Sequence, residues 1–368
     1  MDENTTETGG QHTSDTRFAE SRPPRPLRVA IIGGGSFGSV IARVIANAAA
    51  AAPEVFEPTV AWWVRRAEQA AEICNDHTNV AYLGAGCSLP TNLAATTDLE
   101  QATRGANVVV LGVPHQFLDG LYPQLRGRLA EGAQLLSLCK GLHLEGDEIV
   151  PLTQRIASET GYATSILAGP NLYTEMALDA YAEATIGYAT GNRDGALVLQ
   201  RLCTTDAFGV DIVEDLAGVD LAAALKNCVA IACGLGSAAM GNTRAAIIRR
   251  GHRETVALCL EFFPAVRPTT SGEACGIGDL MLTCSVGRGQ RLAAAFVASG
   301  GAEPWEVLEE RVLGGMKIPD LHNLRAVHVF LRARGALGRY PLLAAAHRVA
   351  FEGGAPAEVI AALRTPVR

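Results

Sequence analysis

Val29-Ala30-Ile31-Ile32-Gly33-Gly34-Gly35-Ser36-Phe37-Gly38-Ser39 is the stretch whose reading decides the fold. Four consecutive apolar residues suit a short strand buried on both faces. Glycines follow at the spacing Gly33-x-Gly35-x-x-Gly38, and Val40-Ile41-Ala42-Arg43-Val44-Ile45-Ala46 continues as a helix with one apolar side. Strand, glycine turn and helix in that order are the setting in which this spacing binds a dinucleotide. Gly33 takes the tight turn, Gly35 lets backbone approach a pyrophosphate, and Gly38 lets helix lie on strand. Free N–H groups and the positive end of the helix dipole then face the phosphates. An ordinary strand-to-helix turn also uses glycine; the flanks here favour the dinucleotide.

Working outward, 368 residues suggest two domains, and a hydrophobic content of 48% supplies ample core. A net charge of −7 argues against a nucleic-acid partner, which would want a basic face. Apolar runs are interrupted by charge before they reach membrane-spanning length, so no membrane span is expected. Nine cysteines lie scattered without a C-x-x-C pair or histidines at metal spacing. They read as buried hydrophobes of a reducing, cytoplasmic compartment with no metal. Residues 1–26 are polar and Pro-rich and read as a disordered tail, without the apolar segment of a signal peptide.

Only three of the 31 basic residues are lysine: Lys140, Lys226 and Lys317. Where arginine has replaced lysine nearly everywhere, a surviving lysine marks work that a guanidinium cannot do. An ammonium is compact and can release a proton once its pKa is lowered. Lys140 follows the buried run Gln134–Cys139, at the carboxyl edge where ligands sit in an open α/β sheet. Lys226, with Asn227 beside it, interrupts an alanine-rich helix read over 219–233, an expensive place for a charge without partners.

The remaining segments extend this pattern. Thr59–Val64 reads as the second strand and ends at Arg65-Arg66, where an NAD enzyme of this fold often carries an acid for the ribose 2′-hydroxyl. Arginine there can meet a 2′-phosphate, which leans the cofactor toward NADP(H). Asn107–Pro114 reads as the strand across the crevice, leading into His115-Gln116-Phe117, which should close over the nicotinamide half. Strands alternate with helices to about Val213, and Glu214 onward is helical. A glycine run delivers Asp279, and Arg288 stands between Gly287 and Gly289 as an anion seat. The expected architecture is an N-terminal Rossmann-like doubly wound α/β sheet over 27–213 and an all-α substrate and catalytic domain over 214–368.

These motifs together resemble the NAD(P)-dependent glycerol-3-phosphate dehydrogenase family from Leu27 nearly to the end. The carrying residues are Gly33 to Ser39, Val113 to Phe117, Lys140-Gly141, Leu225-Lys226-Asn227, Asp279-Leu280 with Thr283-Cys284, Arg288, and Tyr340 to Gly353. Asp76 to Leu83 looks like the eukaryotic-type branch, while Arg65-Arg66 and Gly169-Pro170 look more bacterial. The resemblance implies reduction of dihydroxyacetone phosphate to sn-glycerol 3-phosphate by a homodimer. It implies that Lys226 protonates the carbonyl oxygen, Lys140 positions it and Asp279 holds Lys226. It gives Asn227, Thr283 and Arg288 to the substrate phosphate. To the cofactor NAD(P) it gives Gly33, Gly35, Ser36, Phe37, Gly38, Arg65, Pro114, Phe117, Lys140, Arg288 and Lys317.

Three positions depart from the family pattern: Ser36 in the glycine loop, Gly289 in place of asparagine, and Pro319 in the covering loop in place of glutamine or glutamate. Gly289 removes that amide: for dihydroxyacetone phosphate, Gln290 or Arg291 would have to replace it, whereas for a bulkier ketone the space left by glycine would be the adaptation. Two further readings therefore stand beside the family reaction: a dehydrogenase for another phosphorylated or anionic hydroxy-ketone, and a nucleotide-sensing protein without catalysis.

Overall fold

The computed structural model describes residues 25–237 and 240–366, so nearly all of the tail read over 1–26 lies outside the described residues. The strands are β1 (Val29–Ile32), β2 (Val60–Trp63), β3 (Leu93–Thr96), β4 (Val108–Leu111), β5 (Gln134–Ser137), β6 (His143–Glu145), β7 (Glu148–Val150), β8 (Ala163–Ala168), β9 (Ala182–Gly187) and β10 (Phe208–Val213). Eight of them form one sheet in the order β10-β9-β8-β5-β4-β1-β2-β3, and β6 pairs with β7 as a separate ribbon. β1 and β4 are buried at every residue, as their unbroken apolar runs require between two helical layers. The chain leaves β1 toward β2 and β3 on one side, then resumes with β4 on the other. That reversal of strand order opens the ligand crevice at the carboxyl ends of β1 and β4.

One strand departs from the expected alternation. β9 runs antiparallel to β8, whereas every other pairing in the sheet is parallel. A parallel return needs a crossover element, usually a full helix. Between β8 and β9 the chain builds only the single turn Tyr173–Met176, so it turns back instead.

After Val213 the chain is helical. The helix Leu216–Leu235, slightly longer than the sequence suggested, runs through the middle of this half and is buried along almost its whole length. It is long and apolar enough to cross a membrane, but its surface is taken up inside the fold. Asp215 caps it, accepting from Gly218 N at 2.8 Å, while its other oxygen accepts from Arg267 N at 2.8 Å and Thr270 Oγ1 at 2.5 Å. The helices Gly241–Phe262, Asp279–Val286, Arg288–Ala298, Asp320–Ala333 and Pro341–Phe351 pack around it.

Glu254 holds this bundle together. It is fully buried on Gly241–Phe262, pairs with Arg250 at 2.7 Å, and accepts from the backbone N–H groups of Leu342 and Leu343 at 3.0 and 3.1 Å. It thus satisfies donors at the start of a helix whose first residue, Pro341, has none. Removing one partner of a buried ion pair costs about 3–5 kcal/mol. Glu254→Ala is expected to lower stability by that amount in urea unfolding; a loss within about 0.5 kcal/mol, the range of an ordinary surface change, would show the cap to be dispensable.

Candidate active site

The glycine turn has the geometry its sequence requires. Gly33 has φ +114°, and a Cβ there would stand 2.6 Å from the Gly112 carbonyl oxygen. A Cβ on Gly38 would stand 2.8 Å from the Gly33 oxygen, so helix and strand meet only because both are glycine. Around Gly35 there is open space. The helix Ser36–Ala51 begins there with no side-chain cap and no acid in its first turn, leaving its N–H groups free for an anion. The loop is pinned from behind: Trp62 Nε1 donates to Gly33 O at 2.9 Å and Gln69 Nε2 donates to Gly34 O at 2.7 Å. Asn79 Nδ2 donates to Ser39 Oγ at 2.7 Å. These residues fit a dinucleotide: a rigid cradle with an open glycine where a pyrophosphate would come.

Phe37 and Lys140 carry the crevice toward the helical half. The Lys140 ammonium lies 6.0 Å from the centre of the Phe37 ring and 3.2 Å from Asp279 Oδ2. Lys226 Nζ reaches the other oxygen, Asp279 Oδ1, at 2.5 Å, and donates to Thr283 Oγ1 at 2.9 Å. Thr283 in turn donates to Asp279 Oδ1 at 3.2 Å. A π-helical turn, Ala274–Gly278, delivers Asp279 to the first position of Asp279–Val286, where the helix dipole favours a carboxylate. Three segments far apart in sequence therefore converge on one buried carboxyl group.

Burial sets the proton affinities. Lys226 is 7% exposed and Asp279 2% exposed. Desolvation lowers the Lys226 pKa to about 8, with Lys140 adding repulsion and Asp279 resisting. For Asp279, burial alone would raise the carboxyl, but the two ammonium groups override it and hold it below its ordinary range. The result is a lysine able to give up a proton near neutral pH beside a carboxylate that stays charged.

The other expected site residues lie around this cluster. Asn227 is buried next to Lys226 on the core helix. Pro114 leads into the turn His115–Phe117, and Phe117 is exposed at the mouth. Arg65 is exposed at the end of β2, and its neighbour Arg66 lies over the Tyr82 ring at 5.7 Å. Arg288 is exposed, with its guanidinium beside the Met316 sulfur. Lys317 stands apart from the other two lysines, paired with Glu309.

Two family models match this chain, the NAD-dependent glycerol-3-phosphate dehydrogenase N-terminus over residues 28–193 and its C-terminus over 215–361. The chain belongs to the NAD-dependent glycerol-3-phosphate dehydrogenase family. It is 37% identical over 341 residues to the glycerol-3-phosphate dehydrogenase [NAD(+)] of Cuphea lanceolata, covering 90% of this chain and 91% of that one. It is 35% identical to a probable glycerol-3-phosphate dehydrogenase of Caenorhabditis elegans, covering 92% and 90%. Among solved structures it resembles the glycerol-3-phosphate dehydrogenase of Saccharomyces cerevisiae, with a TM-score of 0.86, 31% identity, and 92% and 100% coverage. As a member of this family it is an NAD-dependent oxidoreductase with a Rossmann-type sheet and a helical second half.

Against that family frame, the reading of Gly289 needs correction. The glycine does not leave vacant room: a Cβ on it would collide with the carboxylate of Asp320. Nor do its neighbours replace the missing amide. Gln290 is buried, and Arg291 donates to the Val312 carbonyl at 3.2 Å, on the helix Trp305–Leu313. Asp320 itself was missed, because its place beside Gly289 is a tertiary contact; so were Gln69 and Asn79. A further group invisible to spacing lies elsewhere: His328 and His347 stack at 3.6 Å with Glu352 beside them.

With three lysines in the chain, peptide mass spectrometry can follow each one separately. Acylation of Lys226 by a small reagent is expected to rise with pH around a midpoint near 8, because burial disfavours its charged form. In Asp279→Asn the midpoint should fall, since the carboxylate that holds the proton is gone. An unchanged midpoint would separate Asp279 from the proton affinity of Lys226.

Proposed function

We propose that the protein reduces dihydroxyacetone phosphate to sn-glycerol 3-phosphate, reversibly, with Lys226 as the proton donor. The observation that carries this is the Lys226–Asp279–Lys140 cluster beside an open glycine cradle. The nicotinamide cofactor, when bound, supplies the hydride. Lys226 gives its proton to the carbonyl oxygen, and its pKa near 8 suits transfer in either direction at neutral pH. Lys140 positions and polarises the same oxygen, while Asp279 keeps Lys226 aimed. Asn227, Thr283 and Arg288 take the substrate phosphate, with Arg288 swinging from Met316 to offer its fork. Gly33, Gly35, Ser36, Phe37 and Gly38 hold the cofactor pyrophosphate, and Pro114, Phe117 and Lys317 border it.

The division of labour largely follows the chain: residues 27–213 hold the cofactor and 214–368 the substrate, with Lys140 reaching to the substrate and Lys317 to the cofactor. The nine cysteines are free, eight of them buried, which supports a reducing, cytoplasmic setting; a homodimer is the assembly proposed with it. A different phosphorylated hydroxy-ketone is the second reading, favoured by the carboxylate of Asp320 in the phosphate pocket.

Reduction of a panel of phosphorylated ketones, followed by nicotinamide absorbance, tests the proposal. Lys226→Ala is expected to lower kcat about 10²–10⁴-fold with cofactor affinity nearly unchanged. Lys226→Arg should be almost as poor, because a guanidinium does not release its proton. Normal turnover by the arginine variant would remove Lys226 as the acid.

The cofactor choice is a separate measurement. The relatives are named for NAD(+), yet Arg65 and Arg66 at the end of β2 offer a 2′-phosphate two guanidinium groups. NADPH is expected to be accepted beside NADH, with a lean toward it. Arg65→Ala with Arg66→Ala should raise KM for NADPH far more than for NADH. An unchanged ratio would leave the arginines as a solvated edge.

A further inference from the structure

Asp320 is a second buried carboxyl group beside the residues proposed above to take the substrate phosphate, lying against Gly289 next to Arg288. It is 5% exposed and opens the helix Asp320–Ala333. That helix end is fixed by Asn323, which accepts from Leu142 N at 3.0 Å and donates to Ala224 O at 3.2 Å. Asn323 thus ties the helix to the segment after Lys140 on one side and to the turn before Lys226 on the other. Asp320 fills the place where a side chain at 289 would stand, directly after Arg288.

The charged groups acting on Asp320 come from three other elements: Arg288 on Arg288–Ala298, Lys226 on the core helix, and Lys140 after β5. The Cys228 thiol on the core helix also feels it. On its own helix His322 stands two residues on, its ring 6.1 Å from that of His115. Three cations whose charge lowers the proton affinity of one buried carboxyl group, Arg288 among them although its guanidinium now lies beside Met316, surround a seat that already holds an acceptor. A carboxylate cannot donate to a phosphate oxygen, and two anions in hydrogen-bond reach repel unless a proton lies between them.

We propose that Asp320 makes anion binding proton-coupled: the pocket takes the substrate's dianionic phosphate together with one proton, held in a hydrogen bond between the Asp320 carboxyl and a phosphate oxygen. This rests on the reading of the pocket as the seat of a substrate phosphate. The proton comes from solvent and no covalent bond changes. Burial raises the Asp320 pKa to about 6 even against the three cations, so the proton is within reach near neutrality. Gly289 is its companion, because any larger residue would expel the carboxyl group from the seat. Asp320 is thereby a specificity-determining residue: it ties affinity for a phosphorylated ketone to pH.

Sulfate is the probe, since it stays a dianion throughout the range and any proton taken up must go to the protein. Calorimetric titration of the full-length protein is made between pH 5.5 and 7.5 in buffers of different ionisation enthalpy, and because Lys226 is common to wild type and Asp320→Asn, the difference between the two isolates Asp320. At pH 7 the wild type should take up close to one proton per sulfate. Its affinity should fall roughly tenfold per pH unit above about 6. In Asp320→Asn the proton uptake and the slope should largely vanish, and sulfate should bind roughly ten- to a hundred-fold more tightly at pH 7.5, the range of a charge-assisted hydrogen bond. Equal slopes and proton uptake in both proteins would overturn the role of Asp320 while leaving the anion seat standing. No sulfate binding in either would overturn the seat and the proposal with it. Should the asparagine variant not fold, wild-type binding without proton uptake is itself sufficient to reject the proposal.

Discussion

The ion pair between Lys226 and Asp279 is the constraint on which the rest of the molecule depends. Each group alone would be a costly burial: the lysine lies in an apolar helix and the carboxylate under a π-turn. Together, and with Thr283 and Lys140 as further partners, they are tolerated. The coupling also joins the two halves of the fold. Lys140 belongs to the edge of the sheet and Lys226 to the centre of the helical bundle, so only a fixed docking of one on the other lets both reach the same carboxyl group. Position along the chain is thus converted into proton affinity. A lysine that would stay charged far above neutral pH in water instead has a pKa near 8.

The same docking explains why the bundle is built so tightly around one helix. A ligand-facing charge in its middle is held in register only if the helix cannot slide or rotate. Asp215 at its start secures one end by accepting from three separate donors. Farther out, Glu254 performs the same task for a neighbouring helix, and Asp220 accepts from both the N–H and the hydroxyl of Thr153 at 2.8 Å. In each case a buried carboxylate with several donors fixes a helix against another segment. The apolar packing supplies stability; these acids supply position.

How much of this was legible follows from how local each feature is. The glycine cradle was readable because its three requirements, a positive φ, an open face and a close approach, fall within six residues. The lysines were readable because a chain so rich in arginine makes the exceptions conspicuous, and because Lys226 contradicts its own helix. What the sequence could not show were relations across the fold. β9 reverses because the connection before it is too short to cross over, a matter of packing more than of strand propensity. Gln69 and Asn79 read as ordinary polar residues until the glycine loop they brace is in place. Gly289 looked like vacant room because the residue that fills it comes from another helix.

Counting charge in the pocket shows why that last misreading matters. Lys140, Lys226 and Asp279 leave one positive charge, and Arg288 brought inward makes two, which a dianionic phosphate would neutralise. An ionised Asp320 reduces the two to one, and the same phosphate would then leave an uncompensated negative charge in a buried site. Such a charge is relieved by a proton at far lower cost than by leaving it unpaired. The glycine at 289 and the aspartate at 320 therefore act as a pair drawn from two helices. On the proposed function, the Lys226–Asp279 pair assigned to the carbonyl stays as it is, while Asp320 sets the charge balance where the substrate phosphate would sit.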